Sequence, residues 1–531
     1  MRKIFVNGKI YTFEEMHPQV EAVVVENGRF IDLGKTKEML HKWRSTDSEV
    51  IDFAGKAVTP GLIDSHLHIS GIANNFLNLD VSGVTSKQKM LTMIRERAGS
   101  LQDGEWLIGR GWNENIFTDG TIPTIDELDE AAPNNPLYIT RICGHASLVN
   151  RLALKRSHYH QDMPVPEGGT VVLDEKTNEP TGLLLESASR IITRHIPEPT
   201  YDELKKGMRQ AIKFAMEKGL TSVHTNDPRY LGGIAQTWKI YDELINGEQL
   251  RLRSNLLIDY EFLMEVDGLG LYTGYGNHFL QIGAVKIFAD GAMGRRTALL
   301  SEPYNDAPEQ YGDAMFDQDT LYGIVKKSRY LGMPIAVHTI GDQALENTLD
   351  VLDQLPTVAY RDRLIHIQVL REDLIKRLLE PSRIVDIQPR FLAGDFPWVI
   401  DRLGEERMGL SYAWKSLLDA GVVCAGGSDS PVEPVDPLLG IHAAVTRKLP
   451  GENHPGYYPE QKLTMQQAIE LFTKMGAYPT NEETIKGTIT RGKFADMTVY
   501  SKDPLTMEDP DQLLETTVEK TIIDGHIMYA K

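Results

Sequence analysis

The chain has 531 residues, 41% of them hydrophobic, and a formal net charge of -19 from 56 Lys and Arg against 75 Asp and Glu. That length excludes a single small module and allows either several domains or one large α/β barrel with attachments, in a composition typical of soluble globular proteins. The negative field excludes nucleic acid and anionic membrane surfaces as natural partners, and two cysteines without CxxC spacing, Cys143 and Cys424, exclude a disulfide framework or a thiolate zinc cluster.

The N-terminal stretch carries Asn7, Gly8 and Lys9 where a signal peptide would need unbroken apolar residues. No apolar run approaches the eighteen or so residues of a membrane-spanning helix, so a cytoplasmic protein is expected. From Ile4 to Val58 the runs Ile4-Phe5-Val6, Lys9-Ile10-Tyr11, Ala22 to Val25, Phe30-Ile31 and Ala57-Val58 read as strands, with Asn7-Gly8 and Asn27-Gly28 as turns. The C-terminal tail has the same texture around Met497 to Tyr500, Lys520 to Ile523, the turn Asp524-Gly525, and His526 to Met528. Residues 1–58 and 486–531 are therefore expected to pair as one small discontinuous β-sandwich domain, since neither piece is large enough to bury a core alone.

Between them, apolar runs alternate with stretches of helical period, the βαβ pattern of a parallel sheet. The runs are Val58 to His66, Leu220 to Asn226, Leu252 to Asp259, Ile282 to Asp290, Pro334 to His338, Arg363 to Gln368, Ile384 to Gln388 and Val422 to Asp429. The expected fold class is α/β: a (β/α)8 TIM barrel over 59–485, with its active site at the C-terminal strand ends and a large insertion at about 69–219, after strand 1. Such an insertion is expected above the mouth, where added loops shape specificity.

Gly61 to His68 is an apolar strand ending in His66-Leu67-His68. Residues two apart on a strand face the same way, so both imidazoles can share one cation; a pair of hydrogen-bonded structural histidines is the alternative. His338 and His366 each end or nearly end an apolar run. Either alone reads as a satisfied core histidine, whereas four histidines at the C-terminal ends of three barrel strands would converge on one point. Asp429 follows the eighth run and either caps the next helix or binds an ion and takes a proton from its water. Lys286, inside an apolar run, is either an ion-pair partner or an amine whose burial lets it react with carbon dioxide to become an anionic, bridging carbamate.

Gly61 to His68, Lys286, His338, His366 and Asp429, in this order, resemble the amidohydrolase superfamily, and specifically its YtcJ-like branch, which includes the N-substituted formamide deformylases. Lys286-Ile287-Phe288-Ala289-Asp290-Gly291-Ala292-Met293-Gly294 and His338-Thr339-Ile340-Gly341-Asp342 are similar to segments typical of that branch. The resemblance implies a barrel hydrolase with one or two divalent metal ions. His66 and His68 would hold the more buried ion, carboxylated Lys286 would bridge, His338 and His366 would hold the second, and Asp429 would complete the site. If Lys286 stays an amine, a single ion is implied. Nitrogen and oxygen ligands suit zinc, with manganese, iron and nickel as alternatives. Water activated by metal would attack a carbonyl while Asp429 shuttles the proton to the departing amine. An amide-type carbon-nitrogen bond in a small-molecule substrate rests on the resemblance alone.

Outside this set, His145 in the insertion either polarises a substrate carbonyl or is an ordinary histidine, and His224 is given no metal role. Asp342 either orients a ligand or caps a helix. Trp112, Phe391 and Trp398 line an apolar pocket or are plain core, and Arg295, beside Arg296, contacts an acidic substrate or is solvated. Two other functions fit the same residues: a deaminase or cyclic-amide hydrolase on this scaffold, or a non-catalytic oligomeric barrel. The oligomeric state stays open, with a homodimer among the arrangements allowed.

Overall fold

In the computed structural model, which describes residues 2–118 and 120–531, the chain divides into two compact units. One comprises Met1–Gly71 and Met208–Lys531, the other Ile72–Gly207.

The larger unit is built on one eight-stranded parallel sheet. Its strands are β1 (Leu62–Leu67), β2 (Leu220–Asn226), β3 (Arg253–Asp259), β4 (Leu280–Phe288), β5 (Ile335–Thr339), β6 (Asp362–His366), β7 (Arg383–Ile387) and β8 (Cys424–Gly426), each paired with the next in chain order. The sheet curls into a nearly closed barrel. Beyond the end of β8 the Asp429 N–H donates to the His66 carbonyl at 2.7 Å, and the His68 N–H to the Ser430 carbonyl at 2.8 Å. β1, β2, β3 and β7 are buried at every position, which is why these parallel strands read as unbroken apolar runs rather than alternating ones.

Two of the expected runs are divided differently. The stretch from Val58 to His66 is not one strand: Ala57–Pro60 belongs to a terminal sheet, and β1 starts only after Gly61. A side chain at Gly61 would lie 2.2 Å from the Thr221 hydroxyl, so only glycine lets the chain pass β2 there on its way into the barrel. The run from Val422 to Asp429 yields only Cys424–Gly426 as strand. Past it, the Asp64 carboxylate takes the Ser428 N–H at 3.1 Å and Asp429 turns left-handed, with φ 55°.

The terminal segments form two sheets within the same unit. One orders Arg29–Gly34, Ala22–Glu26, Arg2–Val6 and Ser48–Asp52; the other orders His526–Ala530, Val518–Ile523, Met497–Tyr500, Ala57–Pro60, Lys9–Tyr11 and Gln19–Val20. A single apolar cluster takes Phe5, Val23 and Phe30 from the first and Ile10, Val58, Val499 and Ile522 from the second. Asn27-Gly28 and Asp524-Gly525 each join paired strands by a two-residue turn with both residues at positive φ, as type I′ hairpins require. Asn7-Gly8 instead carries the chain from one sheet to the other.

The smaller unit has its own six-stranded sheet, including Leu107–Trp112, Leu137–Arg141 and Ala146–Val149, over a core with Leu107, Trp112, Leu137 and Leu148. Its helix Lys87–Ala98 is capped by Ser86, whose hydroxyl accepts from the Lys89 N–H at 3.1 Å. Among the described residues no helix is long and apolar enough to cross a membrane.

Candidate metal centre

The C-terminal ends of β1, β4, β5 and β6, with the loop after β8, bring the chemistry-bearing side chains of the barrel together. One Asp429 carboxylate oxygen lies 3.3 Å from His66 Nε2 and 3.2 Å from His68 Nε2. His66, His366 and Asp429 each offer a ligand atom, all within 4.8 Å of one another. An ion about 2.0–2.1 Å from each ligand in a tetrahedral shell separates its ligands by roughly 3.4 Å, so the contacts to Asp429 have the spacing of a shared cation's donors. Lys286 Nζ is 3.3 Å from His66 Nε2, and the His338 and His366 rings lie 4.4 Å apart.

The free ring nitrogen of three histidines is set by what holds the other one. His68 Nδ1–H donates to the Asn226 carbonyl at 2.8 Å, and His366 Nδ1–H to the Gln388 side-chain oxygen at 2.7 Å, leaving Nε2 available in both. His338 Nε2–H donates to the Gly291 carbonyl at 2.9 Å, leaving Nδ1. His66 Nδ1 is buried without a partner among the described residues. Nitrogen and carboxylate donors that converge, as those of His66, His366 and Asp429 do, are the donor set of a divalent transition-metal site, and these residues fit such an ion.

Electrostatics favour the ligand forms of every group here except His68. Burial, and then the Lys286 charge, hold His66 well below the usual imidazole range and His338 at about 4. Burial and the neighbouring His338 do the same to His366. For His68 burial acts downward, but the hydrogen bond and charge of Asp429 outweigh it and raise the pKa. Burial lifts Asp429, yet hydrogen bonds to His66 and His68 pull it well below the carboxylate range. Lys286, fully buried, is lowered to about 8 by desolvation, so a share of it is a neutral amine near neutral pH.

The backbone is unusual here as well. His366 and Ile367, where the chain leaves β6, have φ of 81° and 44°, and Asp429 has 55°. A β-branched residue rarely adopts positive φ, and such conformations cluster at functional sites because surrounding structure must enforce them. The Ile367 N–H donates to the Thr339 carbonyl at 2.9 Å and the Asp429 N–H to the His66 carbonyl at 2.7 Å. Asp290 ties down the loop after β5, accepting from the N–H groups of Leu299, Ile340 and Gly341 at 2.8–3.0 Å while its oxygen lies 3.6 Å from His338 Nε2. Burial pushes Asp290 up to about 7, and Asp64, which accepts from the His66 N–H at 3.0 Å, likewise to about 7.

Sequence reasoning assigned no role to Gln388, Asp290 or Asp64. Gln388 and Asp290 lie just past strand ends and Asp64 inside β1, but the partners that give them a role, His366, Ile340 and Ser428, come from elsewhere in the barrel. Of the other candidates in the larger unit only Phe391 adjoins the centre. Asp342 accepts from the Ser301 N–H at 3.0 Å and from its hydroxyl, and lies 3.5 Å from Arg371. Phe391 stacks on the His366 ring at 5.6 Å, whereas Trp398 Nε1 donates to the Gly394 carbonyl. Arg295 is exposed, and Arg296 pairs with Asp306. In the smaller unit, Trp112 is buried in the core and donates to the Ile139 carbonyl, while exposed His145 pairs with Glu186 at 2.9 Å. His224 is buried, with neither ring nitrogen bonded among the described residues.

The profile of the amidohydrolase family matches residues 49–529. An amidohydrolase named YtcJ from Bacillus subtilis (strain 168) is 42% identical over 533 residues, covering 100% of both chains. The N-substituted formamide deformylase of Arthrobacter pascens is 24% identical over 547 residues, with 99% of this chain and 98% of that one aligned. Among solved structures, an uncharacterized metal-dependent hydrolase from Pyrococcus furiosus superposes with a TM-score of 0.78 at 28% identity, covering 95% of this chain and all of that one.

Proposed function

Because the chain belongs to the amidohydrolase family, in its YtcJ-like branch, we propose that it is a metal-dependent hydrolase of an amide-type carbon-nitrogen bond in a small molecule. The observation that carries this reading is the convergence of His66, His366 and Asp429 within 4.8 Å at the barrel's strand ends. We further infer that the paired terminal sheets are the small β domain and that Ile72–Gly207 is the insertion after β1.

His66, His68, His338, His366 and Asp429 would hold one or two divalent ions, with zinc best suited to nitrogen and carboxylate donors. Bound there, such an ion supplies Lewis-acid activation of water and of the substrate carbonyl. Asp429, kept ionised by His66 and His68, takes the proton from the attacking water and passes it to the leaving amine nitrogen as the carbon-nitrogen bond breaks. Neutral Lys286 adds its amine to carbon dioxide, forming an N–C bond and losing a proton, which gives an anionic carbamate and room for two ions; an unmodified amine would leave one. No step is assigned to His145.

Metal analysis of the purified protein, followed by a panel of N-substituted formamides, acyl amines and cyclic ureas assayed with defined metals, tests the reading. It expects bound divalent metal and release of amine. Release of ammonia alone would make the protein a deaminase, and persistently metal-free, inactive protein that still assembles would make it a scaffold.

A further inference from the structure

β1 ends in His66 and leads directly to His68, yet it is an end strand of the eight-stranded sheet, with a ladder to β2 alone. That ladder is irregular beside the metal centre. Val223 pairs with Asp64 and Thr225 with Leu67, so one residue of β2, His224, faces two of β1, Ser65 and His66. The extra residue is a bulge, which disrupts the ladder locally and re-aims the side chains that sit on it. His66 therefore stands where its own sheet holds it least.

Two groups grip the bulge from outside the ladder. The His66 carbonyl accepts the Asp429 N–H at 2.7 Å. The Ser65 carbonyl accepts from Arg363 Nη2, while Nε of the same guanidinium donates to Asp386 on β7 at 2.7 Å. β7 and β8 lie between β6 and β1 in the sheet, so Arg363 reaches Ser65 through the barrel interior. Branched apolar side chains usually fill that space, whereas Arg363 and Asp386 are 1% and 0% exposed. Desolvation largely offsets the attraction within a buried ion pair, so stability alone is a weak reason for one here. Resting on the metal-centre reading above, we propose that Arg363 is a positioning residue: held by Asp386, it fixes the Ser65–His66 bulge so that His66 Nε2 stays 3.3 Å from the Asp429 oxygen, ready to share an ion with it.

The sign of the effect separates this role from electrostatics. Losing a cation near a metal site favours metal binding on Coulomb grounds, whereas losing the brace weakens it. A second pair controls for plain stability. Arg329 grips Asp362, the residue before Arg363 on β6, at 2.6 and 2.9 Å, with side chains 5% and 4% exposed. Its other bond is to the Met333 carbonyl.

The test titrates the whole metal-free protein with zinc or cobalt ions against a competing chelator. Arg363→Met and Arg363→Lys are expected to lower affinity about 10-fold or more and to shift the visible absorption bands of the cobalt-loaded protein. Arg329→Met is expected to lower the melting temperature and leave both readouts as in wild type. The Lys variant keeps a charge beside Asp386 but loses the fork that spans both partners, so the result does not depend on whether Arg363→Met folds. Wild-type affinity and bands in Arg363→Lys, tighter binding in Arg363→Met, or an equal fall in Arg329→Met would overturn the proposal. Wild-type protein that takes up no metal would instead overturn the reading of the metal centre itself.

Discussion

The terminal hairpins and the metal centre both contain left-handed backbone, but on different residue types. In the hairpins it falls on Asn27, Gly28, Asp524 and Gly525, residues that tolerate positive φ locally. At the centre it falls on His366, Ile367 and Asp429, of which β-branched Ile367 has no such tolerance. Local propensity and tertiary structure agree in the first region and conflict in the second. Conflict of that kind, maintained by tertiary bonds such as Ile367 N–H to the Thr339 carbonyl and Ser428 N–H to Asp64, separates a site from a scaffold.

The sharpest way to break this comparison is Asp429→Asn. Asn also tolerates the left-handed region, so the backbone survives while the proton acceptor is lost. Turnover is expected to fall by about 10³-fold or more, with the circular dichroism melt little changed. Normal turnover would remove the proton-transfer role. His66→Ala should abolish activity in the same assay through loss of the ion.

Gln388→Leu sharpens the same side of the comparison more gently. It removes the acceptor that fixes the His366 tautomer, and metal affinity measured against a competing chelator should drop roughly 10–100-fold. On the hairpin side, a methyl at Gly28 would sit 1.8 Å from an Asp524 carboxylate oxygen. Gly28→Ala should therefore cost about 1–3 kcal/mol of stability in denaturant titration while leaving metal content intact. Loss of metal in that variant would mean the two regions are not separable.

Lys286 adds a pH signature to the centre. Its folded pKa, about 8, lies below the ordinary lysine value of about 10.4, so between those values the unfolded chain binds more protons than the folded one. Stability of metal-free protein should accordingly rise with pH across that window, and Lys286→Met should flatten the rise. Activation of apo protein by bicarbonate and metal should also accelerate as the pH passes about 8, since only the neutral amine adds carbon dioxide.

The barrel was legible because strands buried on both faces are written as continuous apolar runs, and a histidine, lysine or aspartate interrupting such a run at its end is conspicuous. The same continuity hid the break at Gly61, since a run does not say which sheet each half joins. Gln388, Asp290 and Asp64 were not legible as functional because each acts on a residue brought close only by folding: His366 from β6, the loop after β5, and Ser428 beyond β8. The smaller unit's strands were missed altogether, being short and mostly antiparallel, and Trp112 among them proved to be core.

The smallest effect is expected at Lys502, which pairs with Glu515 at the surface, with side chains 44% and 72% exposed. Water screens both charges and neither long side chain is held by packing, so the Coulomb gain is largely cancelled by the entropy of ordering them. Lys502→Ala should leave turnover and metal content unchanged and move the melting temperature by no more than about 1 °C. The contrast with Lys286 is the informative part. The same side chain type, moved from solvent to the fully buried end of β4, loses its preference for the charged form and gains a reactive amine, so burial rather than residue identity decides which lysine matters.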